Sequence, residues 1–560
     1  MEIKDNLKWW QKTLVYQIYP KSFQDTTGKG TGDLAGVTRH LDYLKSLGVG
    51  AIWLTPCYPS PMVDNGYDIA DYCAIDPSYG TMADMEKLIA EAKKRGIRIV
   101  MDLVYNHSSD QHPWFLASKQ DKTNDKADWY IWRDAKPDGS APTNWRGIFG
   151  GSVWTYVPAR KQYYMHTFAE AQPDLNWENP AVRRALYDAA NFWVKKGVGG
   201  FRIDAIVYIK KPAVFADGEP DAGDGMASVH DAIANTPGIL DFLYEFRREV
   251  FDGHDIFTVA EANGVPPEDL WKWVGEKGVF SMLFEFTHMN IEYEAGETWC
   301  HTIDWPLTKL KGALTASQKG TAASGWYPIF FENHDQIRSV SRYFPKDADP
   351  VRAAKAMATV LLTLRGTPFI YEGQEIGMTN MALPAIEDYD DISSHGQYQL
   401  ALDEGFTKEE ALSFVQAHSR DNARTPMQWT RGENAGFTTG TPWLPVHADS
   451  DAVCVEAEEA DADSVLNYYR ALARERLSGK ASHVLLAGDY KELDALAEDE
   501  RIYAFSRSLG DHTVYTLVNF TAEDVKYDES VHAGATRLIG NYADEVRGTL
   551  RPCEARVYIK

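Results

Sequence analysis

Two positions near the middle of the chain have the residue types and spacing of a reactive pair. Arg202 and Asp204 lie two residues apart at the end of Gly200-Phe201-Arg202-Ile203-Asp204. Side chains two apart on a β-strand share one face, so the guanidinium and the carboxylate would point the same way. A guanidinium keeps a neighbouring carboxylate ionised, and an ionised, oriented carboxylate is what a covalent nucleophile requires. A purely structural ion pair has the same pattern.

A second carboxyl group follows another apolar run. Glu261 comes directly after Val259 and Ala260 and has no basic neighbour in sequence. Apolar surroundings favour the protonated form of a carboxyl group. One ionised and one protonated carboxyl group are what a nucleophile and a general acid acting together require. A solvated loop glutamate is the alternative for Glu261 taken alone.

Two further segments join acids to histidines. Asp102 lies five residues before His107, and His334 is directly followed by Asp335. A histidine beside an aspartate is most often a structural hydrogen bond. Four such polar segments, each after a predicted strand, nevertheless favour one shared catalytic site.

The elements that position these segments form a regular repeat of short apolar strands and helices. Strands are predicted at 14–19, 51–54, 97–104, 200–204, 256–260, 281–286, 327–331 and 368–371, and helices at 34–47, 82–95, 181–196 and 351–364. Eight strand–helix units predict an α/β fold of the (β/α)8 TIM-barrel type. In that fold the active site lies at the carboxyl ends of the strands, where all four segments stand.

Two regions interrupt the repeat and define the predicted domains. Residues 108–177 are too long for a plain loop, so an inserted small domain is predicted after the third strand. Short strands at 484–486, 502–506, 513–519, 536–539 and 555–559 have no helices between them, which predicts a C-terminal antiparallel β-sandwich domain. The predicted domains are the barrel, 1–107 and 178–478, the inserted domain, 108–177, and the C-terminal domain, 479–560.

Composition restricts the partners. The 57 basic and 81 acidic residues give a net charge of −24, which repels phosphate backbones and anionic membranes, so neither nucleic acid nor a membrane is expected. The N-terminus has no apolar signal region. Five cysteines without a CxxC pair indicate reduced thiols. We expect a cytoplasmic protein that acts as a monomer.

In this order, the four polar segments resemble the signature regions of the α-amylase superfamily of glycoside hydrolases. The segment Gln172-Pro173-Asp174-Leu175-Asn176-Trp177 resembles the extra region of its oligo-1,6-glucosidase and α-glucosidase branch. Further matching segments are Tyr16-Gln17-Ile18-Tyr19-Pro20, Asp64-Asn65-Gly66-Tyr67-Asp68, Gly377-Met378-Thr379-Asn380 and Arg420-Asp421-Asn422-Ala423-Arg424-Thr425-Pro426-Met427-Gln428-Trp429.

The resemblance implies a role for each matching residue. Asp204 resembles the nucleophile, Glu261 the general acid/base, and Asp335 the carboxylate that holds the 2- and 3-hydroxyls of the sugar. The residues that resemble those binding the terminal glucose are His107, Arg202 and His334 around the ring, Tyr67 beneath it, Phe168 and Gln172 in the wall, and the ion pair Asp64–Arg420 at the floor. That floor implies removal of one glucose at a time from the end of a small α-glucoside.

Other activities stay open within the same branch. Trehalose-6-phosphate hydrolases are similar to this chain, notably over residues 16–33, and sucrose-acting hydrolases or isomerases are more distant. A phosphorylated substrate needs a Lys or Arg cluster, and residues 286–292 contain neither, which favours an unphosphorylated sugar. A different class, resembling the non-catalytic heavy subunits of amino-acid transporters, would carry a membrane helix and tend to lose the carboxylates.

The loop after the first strand departs from the branch's cation-binding pattern, Asp-x-Asn-x-Asp-x-x-x-Asp. Thr27 and Lys29 replace the asparagine and the central aspartate. Because hard cations need oxygen ligands, neither calcium nor another cofactor is expected. The Lys29 ammonium is expected to lie between Asp25 and Asp33 instead.

Ala205, next to the predicted nucleophile, carries a prediction about linkage. In the family a valine there accompanies preference for α-1,6 bonds, and a smaller residue accompanies tolerance of α-1,4 bonds. We expect activity on maltose or another disaccharide that is not α-1,6-linked. We expect Ala205→Val to lower kcat/KM for maltose relative to isomaltose, because a branched side chain narrows the second sugar's subsite. Such a change is worth about 1–3 kcal/mol. An unchanged ratio of the two kcat/KM values would contradict the argument.

Overall fold

The structure, a computed structural model, describes residues 7–221, 223–293 and 298–560. The N-terminal residues 1–6, considered above for a signal region, lie outside the described residues. Within the described ranges no helix is long and apolar enough to cross a membrane.

Eight parallel strands form the centre of the molecule. They are β1 Leu14–Ile18, β2 Val49–Leu54, β3 Arg98–Val104, β4 Gly200–Asp204, β5 Phe257–Glu261, β6 Met282–Phe284, β7 Pro328–Ile329 and β8 Thr367–Tyr371. Hydrogen-bonded neighbours follow the order β6-β5-β4-β3-β2-β1-β8-β7. A parallel bridge between Met282 and Trp326, just before β7, closes the ring. The predicted (β/α)8 barrel is confirmed.

Helices follow the strands around the barrel. The principal helices are Leu34–Arg39, Leu41–Ser46, Met82–Lys94, Pro180–Lys196, Ile239–Phe246, Leu270–Trp273, Leu307–Ser324, Pro350–Thr363, Ile392–Asp403, Lys408–His418, Asp421–Arg424 and Val465–Ser478. The single helix predicted over 34–47 is divided at His40, whose φ of −98° and ψ of 11° interrupt the helical backbone.

The segment after β3 forms a small sheet with its own core. Strands Trp132–Arg133, Gln162–Met165 and Trp154–Val157 are antiparallel, and Trp145–Arg146 pairs with Ala227–Ser228 from beyond β4. The core of this layer includes Trp145, Trp154 and Met165, and it is completed by Val229 and Ile233. The inserted layer thus packs on the chain that leaves β4. The domain boundaries given above stay a prediction.

The C-terminal part is antiparallel, as predicted. Five strands pair in the spatial order Asp489–Glu492, Ile502–Leu509, His512–Asn519, Ala555–Ile559 and Thr536–Gly540, and Val525–Lys526 pairs with Thr549–Leu550. The strand predicted over 484–486 is wrong, because Ser482–Ala487 is a helix. Ala481, Val484 and Leu485, at helical spacing, pack together in the core beneath this sheet.

Gly200 begins β4 where β5 comes closest. A Cβ atom at Gly200 would lie 2.1 Å from the carbonyl oxygen of Phe257, so β4 would have to move away from β5. We expect Gly200→Ala to lower Tm, with a loss of about 1–3 kcal/mol. The matched control is Gly312→Ala, at an exposed helical site with no neighbouring atom within 4 Å, where alanine favours the helix by about 0.5–1 kcal/mol. Equal Tm values for the two variants would refute this account.

Candidate active site

Arg202 joins three neighbouring strands at their carboxyl ends. The strand register places it beside Asp102 on β3 and Val259 on β5, and its side chain is buried. Its Nη1 lies 3.0 Å from Asp102 Oδ1 and 2.5 Å from Asp204 Oδ1. Its Nη2 contacts Glu261 Oε2. One guanidinium therefore holds three carboxyl groups together.

The cluster contains three carboxyl groups and only one guanidinium, and this imbalance affects the pKa values of its acids. Burial raises the pKa of Asp102 to about 6 and the pKa of Asp204 well above its usual range, while Arg202 lowers both. Excess negative charge in a buried site opposes the ionisation of Asp102 and Asp204, and one shared guanidinium compensates it only in part.

Two expectations about these carboxyl groups are therefore wrong. Arg202 does not bring the pKa of Asp204 below its usual range, because the desolvation of a buried carboxylate outweighs one guanidinium shared among three acids. Glu261 is not surrounded by apolar groups alone. The guanidinium of Arg202, which is distant in sequence, contacts Glu261, and 25% of the Glu261 side chain is exposed.

A second arginine connects loops rather than strands. Arg420 Nη2 lies 3.1 Å from Asp64 Oδ1, and its Nη1 lies 3.1 Å from Asp335 Oδ1. Burial raises the pKa of Asp64 to about 6 against the effect of Arg420. Burial also disfavours the ionised form of Asp335, but His334 and the two arginines Arg420 and Arg424 hold its pKa well below the usual range.

His334 lies between Asp335 and an aromatic ring. The Gln17 amide donates to Nδ1 of His334 at 2.8 Å, which leaves Nε2–H facing Asp335 Oδ2 at 2.9 Å. Tyr67 stacks on the imidazole with ring centroids 5.1 Å apart, and its hydroxyl donates to Asp102 Oδ2 at 3.0 Å. Burial lowers the pKa of His334 to about 4, so the ring is neutral near pH 7.

The inserted layer brings Phe168 and Gln172 to the same place. The Gln172 amide donates to Asp64 Oδ2 at 3.0 Å and lies 3.2 Å from His107 Nε2. The Phe168 ring lies 5.1 Å from the His107 ring. Burial lowers the pKa of His107 to about 4. These contacts, with those of the two arginines, bring all the predicted site residues into one connected cluster.

Ala205 directly follows β4 and has an unusual backbone conformation. Its φ of 45° and ψ of 31° are left-handed, and its N–H lies 3.5 Å from Glu261 Oε2. Branched residues are disfavoured in this region. Tm of Ala205→Val must therefore be measured beside its kinetics.

The sequence interpretation missed Asp391 and Arg424. Asp391 Oδ1 accepts from Arg420 Nε at 2.7 Å and lies 2.6 Å from its Nη2, and Arg424 Nη2 lies 2.8 Å from Asp335 Oδ1. The helical spacing of four residues between Arg420 and Arg424 was a usable signal. Asp391 lies outside the predicted strand–helix repeat, and no sequence pattern indicated its role.

The expected position of Lys29 is wrong. Lys29 is exposed, and in the described chain no ion pair joins it to Asp25 or Asp33. Backbone N–H groups satisfy Asp25 instead, including that of Gly30 at 2.7 Å, while Asp33 caps the helix Leu34–Arg39 through the N–H of Gly36. The tight glycine-rich turn supplies its own donors, so the lysine side chain is left in solvent.

A (β/α)8 barrel that gathers carboxyl groups and arginines at the carboxyl ends of its strands has the architecture of a glycoside hydrolase. Residues 17–485 match the family described as "Alpha amylase, catalytic domain". The chain belongs to this family of glycoside hydrolases.

Relatives align over nearly the whole chain. An oligo-1,6-glucosidase of Parageobacillus thermoglucosidasius is 43% identical over 98% of this chain and 98% of its own length. A trehalose-6-phosphate hydrolase of Escherichia coli (strain K12) is 42% identical over 98% of both chains. The crystal structure of an isomaltulose synthase from Protaminobacter rubrum superposes with a TM-score of 0.93 at 38% identity, covering 99% of each chain.

Asp391 orients Arg420, and its loss has a testable effect. We expect Asp391→Asn to lower kcat/KM on a chromogenic α-glucoside at least tenfold, about 1.4 kcal/mol, because the guanidinium loses its two-point partner. The matched control is Asp388→Asn. Asp388 is exposed, lies three residues before Asp391 and ends a short turn. Kinetics at a temperature where both variants stay folded separate orientation from stability. Equal kcat/KM values for the variants would exclude this role.

Proposed function

We propose that this protein is a retaining, exo-acting α-glucosidase that removes the terminal glucose of short α-glucosides. The observation that carries the proposal is the contact of the Arg202 guanidinium with both Asp204 and Glu261. It supports a nucleophile and a general acid held close enough to act on one scissile bond. The named relatives, which include oligo-1,6-glucosidases, support the substrate class.

Asp204 and Glu261 divide the reaction into two displacements. In the first, an Asp204 carboxylate oxygen bonds to the anomeric carbon while Glu261 gives its proton to the departing glycosidic oxygen. In the second, Glu261 takes a proton from water as that water attacks the anomeric carbon and releases Asp204. Each displacement inverts the carbon, so the glucose keeps the α configuration.

The other site residues bind the terminal ring. Asp335, ionised between His334 and two arginines, is suited to accept hydrogen bonds from two sugar hydroxyls. Tyr67 offers an aromatic face beneath the ring. The buried Asp64–Arg420 pair closes the floor, which supports removal of single glucose units and opposes cleavage within long polymers.

Hydrolysis of a phosphorylated disaccharide is the second candidate, because a trehalose-6-phosphate hydrolase is nearly as similar. One contact disfavours it. Arg342, the cation that contacts the segment after β6, is already paired with Glu292 at 2.9 Å. A product assay on maltose, isomaltose, sucrose, trehalose and trehalose-6-phosphate distinguishes these activities, and faster release of glucose from trehalose-6-phosphate than from the unphosphorylated sugars, with an equal amount of glucose-6-phosphate, would overturn the unphosphorylated assignment. A rearranged disaccharide from sucrose would indicate an isomerase.

A cytoplasmic monomer is part of the same proposal. All five cysteines are free in the structure, and Cys57, Cys454 and Cys553 are buried thiols, as suits a reducing compartment. Size-exclusion chromatography with light scattering tests the monomer.

Asp204→Asn tests the assigned nucleophile. An amide cannot form the glycosyl ester, so we expect the rate to fall by several orders of magnitude; Tm is measured beside the rate, because the variant also removes an ionic partner of buried Arg202. Glu261→Gln is the companion variant, and it should recover more activity on substrates with acidic leaving groups, because these need no proton. NMR of the first-formed glucose should show the α anomer. A β anomer, or an undeamidated Asn variant with a tenth of wild-type rate, would exclude the mechanism.

A further inference from the structure

A group of three potential metal ligands lies outside the sugar site. Cys300 and His301 belong to the loop after β6, and Glu404 directly follows the helix Ile392–Asp403. One ligand atom from each lies within 4.8 Å of the other two. The thiol of Cys300 lies 3.8 Å from Glu404 Oε2, and Nε2 of His301 contacts the same oxygen. The mechanism of glycoside cleavage uses none of these groups.

The sulfur–oxygen spacing in this group fits a tetrahedral metal ion, and the exposed His301 imidazole, which contacts Glu404 Oε2, has to turn aside to take the third position. Zinc binds thiolate at about 2.3 Å and carboxylate or imidazole at about 2.1 Å, so a tetrahedral angle separates sulfur from oxygen by about 3.6 Å. The observed sulfur–oxygen distance is 3.8 Å. Thiolate, imidazole and carboxylate form a mixed set that prefers zinc to calcium or magnesium. The half-exposed position leaves a fourth site for water.

The backbone on both sides of the group is already fixed. Trp299 is buried, and its N–H donates to Gln397 Oε1 at 3.0 Å, which ties the loop to the same helix that leads to Glu404. Thr302 forms a backbone bridge with Tyr293 on the other side. Because the loop and the helix are held together without a metal, little ordering is needed when one binds.

The helix end also attracts a cation. A helix C-terminus carries partial negative charge, which basic residues normally neutralise. The last turn of Ile392–Asp403 contains no basic residue, and Asp403 and Glu404 add two acidic groups there. The electrostatic potential therefore favours a divalent cation at the point where the three ligand atoms meet.

We propose that Cys300, His301 and Glu404 bind one zinc ion that fastens the loop after β6 to this helix. The helix begins after Asp391, which orients Arg420, and its 12 residues span about 18 Å. The ion therefore stabilises the frame of the pocket from a distance and does not act on the sugar. Its binding is independent of the proposed α-glucosidase activity.

Cobalt(II) as a spectroscopic probe tests the site on the untagged, EDTA-treated full-length enzyme. We expect one Co²⁺ per chain, with a thiolate charge-transfer band in the near ultraviolet and the visible bands of tetrahedral coordination. Zinc should displace the cobalt and raise Tm. Cys300→Ser should remove the charge-transfer band and weaken zinc binding at least tenfold. Glu404→Gln should weaken it similarly with the thiol in place. Cys73→Ser, at a free cysteine that is exposed and distant in sequence, should change neither measurement.

The competing explanation is a plain His301–Glu404 ion pair beside an unrelated thiol. In that case wild-type enzyme shows no thiolate–cobalt band, and zinc affinity is the same in the Cys300 and Cys73 variants. Either result overturns the proposal. Circular dichroism confirms that each exposed variant is folded, so a lost band reports lost binding.

Discussion

The structure depends first on the compensation of one buried charge. Arg202 lies within the barrel mouth, where its guanidinium would be costly without partners, and carboxyl groups of Asp102, Asp204 and Glu261 surround it. Removing one partner of a buried ion pair typically costs about 3–5 kcal/mol. Because a slip of one residue would turn Arg202 to the opposite face of its strand, this charge fixes the register of β3, β4 and β5. The groups assigned to bond cleavage are therefore held on or at the ends of paired barrel strands.

Arg420 is a second buried guanidinium whose charge is compensated by carboxylates, and here the carboxylates belong to loops. Its partners, Asp64, Asp335 and Asp391, come from three separate connections around the barrel. The two arginines thus divide the site: one holds the groups assigned to bond cleavage on strands, and the other holds those assigned to sugar recognition on loops. Loops vary more readily than strands, so relatives that act on different sugars can share one barrel. This division agrees with full-length relatives whose named activities differ.

Sequence patterns predicted most of the barrel because its strands are short apolar runs with polar ends. β4 and the last strand, Ala555–Ile559, match their predicted bounds. The run at 484–486 failed because three apolar residues satisfy a strand or one helical turn equally well. The contacts of the site could be foreseen only where residues share a motif. Glu261 and Arg202 are 59 positions apart, and the pairing of β4 with β5, rather than any local pattern, brings them together. Asp391 was missed for the same reason. The position of Lys29 was predicted wrongly because backbone N–H groups, which have no sequence signature, bind the carboxylates that its side chain was expected to bind.

The shared core of the inserted layer restricts how such enzymes can be recombined. Val229 and Ile233, which complete that core, lie on the chain that continues from β4. A crossover that exchanged only the segment between β3 and the helix Pro180–Lys196 would separate these residues from the side chains they evolved to pack against. Chimaeras between relatives should therefore transfer both segments together. The substrate contacts proposed for Phe168 and Gln172 would then be inherited jointly with the stretch that follows Asp204, so the two segments would diversify together.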